Sequence, residues 1–497
     1  MILPKAPSDF QKYLYVDQNK WLLYGWGLFS FVCLIAGMMM FSANHPPFYA
    51  FTVIIAFYLG LSYWIGVFGR SFVLQKHLDV INKWTQYLPT IDVYLPSCGE
   101  PLAVLENTYR HVRALDWPEG RVHVYVLDDS HRPEVALLAE RFEFEYIARP
   151  DPGALKKAGN IRYAFPRTSG EFILILDADF CPRTDMLREM MPYFAADEKR
   201  AIVQTPQYFE IQDGQSWIEK GSAYVQELFY RVVQTNRDTW GASVCVGTCA
   251  VYRRSALEPH GGTYPIAYSE DLHTGWQALV DGLKVKYIPL NLAKGICPDT
   301  MSAYWVQQNR WCTGSTSLLL SKMFWTTPLP LMQRLCYMTG MLYYIATALS
   351  VLLTPIPSLI VVWMHPENVF WYNYLFSLPS FVFSFIIVAI WGRAPFGAYV
   401  LSARQVSYYA HLFALWDRFK GSIVAWVPTG DSKATKAVKR YIDFKTVMFG
   451  WVCLTTFIGV SGAFYRMVEF TDFNFYPLIF FTLFHFWVAV RAFVEEA

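Results

Sequence analysis

Acidic residues recur in this chain where apolar runs stop. Val122–Leu127 ends on Asp128-Asp129-Ser130, Phe172–Leu176 ends on Asp177-Ala178-Asp179, and Ile91–Leu95 runs into the polar turn Pro96-Ser97-Cys98-Gly99-Glu100. Further on, Ser269-Glu270-Asp271 precedes the helically spaced Leu272–Leu279, and Gln307-Gln308-Asn309-Arg310-Trp311 lies shortly before a long apolar stretch. Carboxylates at a strand end are hard oxygen ligands that can hold a divalent cation and bridge a diphosphate. A carboxylate at a helix start can take the proton of an attacking hydroxyl. Arginine and tryptophan in one turn suit a diphosphate contact beside a stacked sugar ring. Taken singly, each acidic pair could equally be an Asx-turn or a helix cap; three at consecutive strand ends argue for one site. The nine cysteines form no C-x-x-C pair, and Cys245 and Cys249 have no partners at zinc spacing, which reads as buried thiols of a reducing compartment.

The elements around these residues read as two kinds. Between Ile91 and about residue 300, short β-rich runs alternate with amphipathic segments such as Leu102–Leu115 and Pro133–Phe142. That alternation predicts parallel β-α-β units, with ligands at the carboxyl ends of the strands. The rest belongs to a membrane. Of 497 residues, 54% are hydrophobic and only 16% charged, against about 25% charged in soluble domains. Net charge is +2 and no basic stripe is interleaved with aromatics, which excludes a nucleic-acid partner.

Six spans are expected, since a crossing takes about 20 apolar residues: Trp21–Ser42, Tyr49–Phe68, Arg334–Leu353, Leu375–Trp391, Thr446–Tyr465 and Tyr476–Phe493. Thr354-Pro355-Ile356-Pro357 should end or kink the third of them, with a short helix at Ser358–Met364. Arg70, Lys76, Lys83, Lys322, Arg334, Arg393, Arg404, Arg440 and Lys445 fall on one side. The loops near Asn44–Pro47, His365–Trp371 and Met467–Asn474 hold almost no cations, apart from Arg466 at a helix edge. Both termini and the polar middle are therefore expected in the cytosol. The expected division is two transmembrane helices in 1–70, a cytosolic domain in 71–330, two helices in 331–393, interfacial helices in 394–444 and two helices in 445–497. Aromatics in the spans, among them Trp363, Trp371, Tyr374, Trp451, Phe475 and Trp487, read either as interfacial belts or as a sugar-stacking channel lining. His273 reads as a packing or hydrogen-bonding residue.

The order Asp128-Asp129, Asp177-x-Asp179, Glu270-Asp271, Gln307-x-x-Arg310-Trp311, flanked by membrane helices, resembles the D, DxD, TED, QxxRW signature of the cellulose, hyaluronan and chitin synthase group of processive family 2 glycosyltransferases. The likeness covers roughly residues 20–495. Val126–Ser130 resembles VLDDG, Lys157–Asn160 resembles KAGN, Val203–Gln207 contains VQTP, and Cys245–Thr248 is a looser match to FxCGS; all four are cellulose synthase-like segments. The resemblance implies a GT-A (nucleotide-diphospho-sugar transferase) fold of α/β class, inserted between transmembrane helices. It implies a UDP-sugar donor, a growing polysaccharide and Mg²⁺ or Mn²⁺ as cofactor. Carried over, Ser97, Glu100 and Asp128 or Asp129 hold the uridine and Lys157 approaches the diphosphate. Asp177 and Asp179 serve metal and nucleotide, Asp271 is the general base and Glu270 supports it. Gln307, Arg310 and Trp311 bind the diphosphate and the acceptor end, and Cys245 and Gly247 lie near the acceptor sugar. Trp426 and Thr429, with Lys433 beyond, match part of the FxVTxK gating loop, although Pro428 and the shifted lysine depart from it. Ser269 replaces the signature threonine. No cyclic-di-GMP-binding PilZ domain is expected after the last helix.

The resulting expectation is an inverting synthase in the plasma (inner) membrane that builds a β-glucan from UDP-glucose and passes it across. A partner in the envelope or a second copy of the chain fits that role. Synthesis of another polysaccharide, or single-sugar transfer to a lipid, are the rival enzymatic readings. A transporter without catalysis would place ionisable residues inside the spans, and these spans hold almost none.

Overall fold

The computed structural model describes residues 3–16, 20–69, 72–392, 399–421 and 435–494. Strands β1 (Ile91–Ser97), β2 (Val122–Asp128), β3 (Glu145–Ile147), β4 (Phe172–Ile175), β6 (Arg200–Gln204), β7 (Ala250–Arg253) and β8 (Lys284–Tyr287) form one sheet, in the order β3-β2-β1-β4-β7-β6-β8. A second, two-stranded sheet pairs β5 (Cys181–Pro182) with β9 (Ala293–Lys294). Strands β1 to β4 run parallel, as the alternation with helices predicts. Strand β7 is antiparallel to both its neighbours, so the sheet is mixed. The parallel expectation missed this because Ala250–Arg253 follows a loop rather than a crossover helix.

Helices α1 (Lys20–Asn44) and α2 (Tyr49–Phe68) precede the sheet. Within and after it lie α3 (Leu102–Arg113), α4 (Pro133–Arg141), α5 (Lys156–Ala164), α6 (Trp217–Leu228), α7 (Glu270–Val280) and α8 (Met301–Leu319). Then follow α9 (Leu331–Leu353), α10 (Ile356–Met364), α11 (Tyr399–Phe419), α12 (Thr435–Arg466) and α13 (Tyr476–Val494). Strand β1 is buried along its whole length, which its run of Ile91, Val93 and Leu95 explains. Each such side chain contributes about 1.5–3 kcal/mol when fully buried. Asp92 is tolerated at the same depth because Arg254 Nη2 lies 2.6 Å from Oδ2 and the Gly170 N–H donates to that oxygen at 2.7 Å.

Among the described residues, five helical stretches are long and apolar enough to cross a membrane: Lys20–Asn44, Pro46–Phe68, Leu331–Met364, Arg440–Arg466 and Asp472–Ala492. The expected break at Pro355 is present, with α9 stopping at Leu353 and α10 starting at Ile356. The fourth expected span, Leu375–Trp391, differs. It folds as a 3₁₀ turn over Trp371–Phe376, then Leu378–Val382, a π turn over Phe383–Ile387, and Val388–Gly392. Pro379 opens the second piece and the π turn interrupts the ladder. Its apolar helix, Leu378–Gly392, is shorter than the other candidates. The cation-poor loops meet at one end: His45 and His365 rings are 5.5 Å apart, and the Trp371 N–H donates to Asn474 Oδ1 at 3.3 Å. That meeting agrees with the topology drawn from lysine and arginine.

Helix α11 is where an interfacial helix was expected, yet it is buried on most sides, among α6, α8, α9 and α13. Tyr304 bonds Ser407 at 2.6 Å, and the Asn309 side chain donates to the Ala410 carbonyl at 3.3 Å. Arg418 Nη2 donates to the Thr313 carbonyl at 2.7 Å. Small residues (Ser402, Ala403, Ser407, Ala410 and Ala414) line it and allow close approach.

Candidate active site

The chain ends of β1, β2 and β4 meet at one edge of the sheet. After β1, Ser97 is 3% exposed and its hydroxyl has no partner among the described residues, a donor or acceptor position that a ligand could use. Glu100 turns back to accept the Cys98 N–H at 2.6 Å, and burial raises its pKa.

The two aspartates after β2 have separate tasks. Asp128 is fully buried and accepts hydrogen bonds from the Ser130 N–H and hydroxyl, the Arg132 N–H at 2.8 Å and Tyr146 Oη at 3.0 Å. It is the turn-capping residue that the bland reading foresaw. Asp129 is gripped by Arg149, with Nε at 2.5 Å and Nη2 at 2.8 Å, and by the Gly153 N–H at 3.1 Å. Arg149 is 1% exposed and also donates to the Ala154 carbonyl. It therefore fixes the loop that leads into α5, and no sequence feature singled it out. Asn160 on α5 returns to β2 through the Leu127 carbonyl at 2.7 Å.

That scaffold aims Lys157 across the site. Its ammonium bonds Asp177 and donates to the Gly247 carbonyl at 2.8 Å. Burial lowers the Lys157 pKa, but Asp177, Glu270 and Asp271 raise it more, so the group stays cationic. The Asp177 N–H donates to Thr248 Oγ1 at 2.8 Å. Asp179 is pushed up to about 7 by burial and then by Asp177 and Glu100. Three carboxylates thus share one region with a single ammonium, a surplus of negative oxygen donors that a divalent cation would neutralise. Among the described residues no group of three or more His, Cys, Asp or Glu is close enough to hold an ion alone. Asp177 and Asp179 therefore suit a cation that takes its remaining oxygens from a bound diphosphate.

Asp271 sits at the start of α7, where Ser269 adopts a left-handed conformation with φ 50°. A non-glycine residue held there stores strain of a kind found at functional sites. Helix α8 fixes this corner, because a Cβ on Gly314 would run into the Ser269 side chain. His273 joins in, its ring nitrogens 2.9 Å from the Ser269 carbonyl and 3.3 Å from Ser317 Oγ. Burial lowers the His273 pKa, so it is a neutral brace. Asp271 is raised to about 7 by burial and by Glu270, against the Leu272 N–H, Lys157 and Arg310. A carboxylate with that pKa is matched to accepting a proton near neutrality.

Gly247 completes the pocket around Asp271. Its φ is +76°, and a Cβ there would stand 2.9 Å from Asp271 Oδ2. The loop is held from below: Gln204 donates to the Val244 carbonyl at 2.6 Å and accepts the Val246 N–H at 3.1 Å, while Gln207 donates to the Val246 carbonyl at 2.9 Å. Gly247→Ala is expected to lower turnover about a hundredfold, because displacement of a reacting group by about 1 Å costs that much. Steady-state rates beside UDP calorimetry check it; nucleotide affinity should barely change. Cys245 belongs to the same loop and is 1% exposed, with its sulfur 3.1 Å from Tyr252 Oη and its Cβ against Gly275.

Across from Asp271, α8 carries Gln307, Arg310 and Trp311. Gln307 Oε1 is buried without a partner. Arg310 forms no ion pair among the described residues, and half-buried Trp311 stacks on no other ring among them. Beyond α8 lies an aromatic and cationic cluster. Tyr58 of α2 and Tyr343 of α9 have ring centroids 6.4 Å apart, Tyr343 and Tyr344 5.2 Å, and Arg404 of α11 donates to Tyr408 Oη at 3.0 Å. Arg237, 4% exposed, donates to Thr339 Oγ1 at 3.2 Å and pairs with no carboxylate among the described residues. The sequence did not single out Tyr58, Tyr343, Tyr408 or Arg237. Trp426 and Thr429, like Lys433, lie outside the described residues.

Comparison with known proteins agrees with this arrangement. Residues 92–261 match glycosyl transferase family 2. A cellulose synthase 1 catalytic subunit (UDP-forming) of Komagataeibacter xylinus is 36% identical over 257 residues, covering 51% of this chain and 34% of that protein. A cellulose synthase catalytic subunit (UDP-forming) of Xanthomonas axonopodis pv. citri is 30% identical over 322 residues, covering 64% of this chain and 42% of that protein. The chain therefore spans well under half the length of these relatives. Among solved structures, a mannosyltransferase of Pyrobaculum calidifontis in complex with GDP-Man and Mn²⁺ superposes with a TM-score of 0.52 at 14% identity, over 78% of this chain and 99% of that one. This likeness establishes the fold alone, a GT-A-like sheet.

Proposed function

We propose that this chain, which carries a glycosyl transferase family 2 domain in a multi-pass membrane protein, polymerises glucose from UDP-glucose into a β-glucan and passes it across the plasma membrane. The observation that carries the reading is continuity. Asp271 faces Lys157 and Asp177 on one side and Arg310 of α8 on the other, and α8 packs against α9 and α11, which carry the tyrosines and arginines beyond it. Partly buried aromatic rings suit the apolar faces of sugars, and guanidinium groups without carboxylates suit their hydroxyls.

In this reading the terminal hydroxyl of the glucan attacks the anomeric carbon and gives its proton to Asp271. The bond from that carbon to the diphosphate breaks, and its electron pair leaves with UDP. The configuration inverts in the single displacement. Lys157 and Arg310 oppose the charge that develops on the leaving diphosphate. Asp177 and Asp179 would hold Mg²⁺ or Mn²⁺, which would supply further neutralisation of that diphosphate. Ser97 and Glu100 face the uridine side. Trp311 offers a platform for the acceptor sugar, and Gln307 an unpaired amide oxygen for its hydroxyl.

A pH profile follows from the two raised carboxyls. Each works as a carboxylate, and each has a pKa of about 7. Activity therefore belongs to the high-pH side and is lost as pH falls through about 7. At limiting Mg²⁺, log kcat/KM should fall with a slope approaching two. At saturating Mg²⁺ Asp179 would be held as a carboxylate, so the slope should approach one, and EDTA should remove activity.

The reading is tested by offering single nucleotide sugars to the purified protein in detergent and following UDP release with product size. Polymer from UDP-glucose alone supports it. Transfer of one sugar to lipid, or a requirement for another nucleotide sugar, would overturn the glucan assignment.

A further inference from the structure

We propose that His411 is a positioning residue that ties the acceptor-side helix α8 to the membrane helix α9, so that the transferred sugar and the passage beyond it stay in register. The inference rests on the polymerase reading. His411 is fully buried in α11, outside the candidate spans. Its ring is packed by Tyr344 at 4.8 Å, Tyr343 at 5.6 Å and Tyr408 at 6.4 Å between centroids. Nδ1 lies 2.8 Å from Thr347 Oγ1 on α9, and Nε2 lies 3.3 Å from the side-chain amide of Gln308 on α8. One imidazole thus touches three helices.

The hydrogen-bond inventory fixes the sense of the link. The Thr347 hydroxyl donates to the Tyr343 or Tyr344 carbonyl, at 2.8 and 3.1 Å, so its oxygen accepts from His411 Nδ1–H. The ring is neutral, since burial pushes its pKa down. Its bare Nε2 then needs a donor. Gln308 faces it with Oε1, while Gln308 Nε2 is buried without any partner among the described residues. Turning that amide by a half rotation, which exchanges its oxygen and nitrogen, satisfies both groups. The link then runs from Gln308 Nε2–H to His411 Nε2, and from His411 Nδ1–H to Thr347. Gln308 lies between Gln307 and Arg310-Trp311, the groups offered to the acceptor, so the link sets where these stand relative to Asp271.

If the link is cut, the donor still binds but the acceptor hydroxyl is no longer held over the anomeric carbon. Water then attacks instead: its proton goes to Asp271, its oxygen bonds the anomeric carbon, and the products are free glucose and UDP. The readout is UDP released per glucose incorporated, a ratio that a mere loss of folded protein does not change. In the full chain reconstituted in nanodiscs with UDP-glucose and Mg²⁺, His411→Ala should raise the excess of this ratio over one about fivefold, the order of one lost neutral hydrogen bond. His411→Gln, which reaches only the Nε2 position, keeps the Gln308 end and loses Thr347, and His411→Asn, which reaches only the Nδ1 position, keeps Thr347 and loses Gln308. Both should behave like alanine. Gln308→Leu cuts the link from its other end and carries the same test where His411→Ala does not assemble. An unchanged ratio in these cut variants, or a parent-like ratio in either amide variant, overturns the proposal. If the parent protein makes no polymer at all, the polymerase reading fails first and this inference falls with it.

Discussion

Asp271→Asn is expected to lower kcat about a thousandfold, within the range of about 10²–10⁴ that general-base catalysis contributes. The substitution keeps the shape of the side chain and an oxygen for the Leu272 N–H, which donates to Asp271 Oδ1 at 2.8 Å. It removes only the group that takes the proton. Binding of UDP should survive, because Ser97, Lys157 and Asp177 are untouched. At limiting Mg²⁺ the pH dependence below about 7 should lose the limb due to Asp271 and keep that due to Asp179. UDP release by the variant, measured beside UDP calorimetry, decides the matter. A loss smaller than tenfold would move the base elsewhere.

The largest effect on stability is expected at Arg149. Arg149→Met leaves Asp129 buried with its bidentate partner gone and only the Gly153 N–H remaining. Breaking a buried ion pair from one side costs about 3–5 kcal/mol. For a domain of this size that corresponds to roughly 10 °C in the unfolding midpoint, readable by a thermal scan in detergent. Asp129→Asn combined with Arg149→Met should recover part of the loss, because the stranded charge is then gone. A single variant as stable as the parent would mean that Asp129 takes up a proton or finds water instead.

These two residues also mark what the sequence could reveal. The aspartates at strand ends were visible because an apolar run that stops in carboxylates can do so only at the sheet edge. Asp271, Asp177, Asp179 and Lys157 are brought together there as their motifs imply. Which member of Asp128-Asp129 does what was not visible, since that depends on Tyr146 and Arg149, both of them far along the chain from the motif. The packing of Cys245 was not visible for a similar reason: Tyr252 and Gly275 bury it, and spacing alone cannot tell an inward from an outward side chain. The mixed direction of the sheet was hidden because Ala250–Arg253 is short and enters from a loop. The burial of α11 was hidden because an amphipathic pattern of small and aromatic residues describes a helix at a bilayer surface as well as one packed among other helices. The cluster of Tyr58, Tyr343, Tyr344, Tyr408 and Arg404 beyond α8 draws on α2, α9 and α11, and no local pattern could have joined them.

The central claim is that polymer made on one side of the membrane emerges on the other. The most direct measurement uses the protein in sealed vesicles oriented with the sheet domain outward, supplied externally with radiolabelled UDP-glucose, Mg²⁺ and then a glucan-degrading enzyme. The account predicts long polymer inside the vesicles, resistant to the enzyme until detergent is added and absent with Asp271→Asn. Polymer that is wholly degraded without detergent, or label found only on lipid, would contradict it.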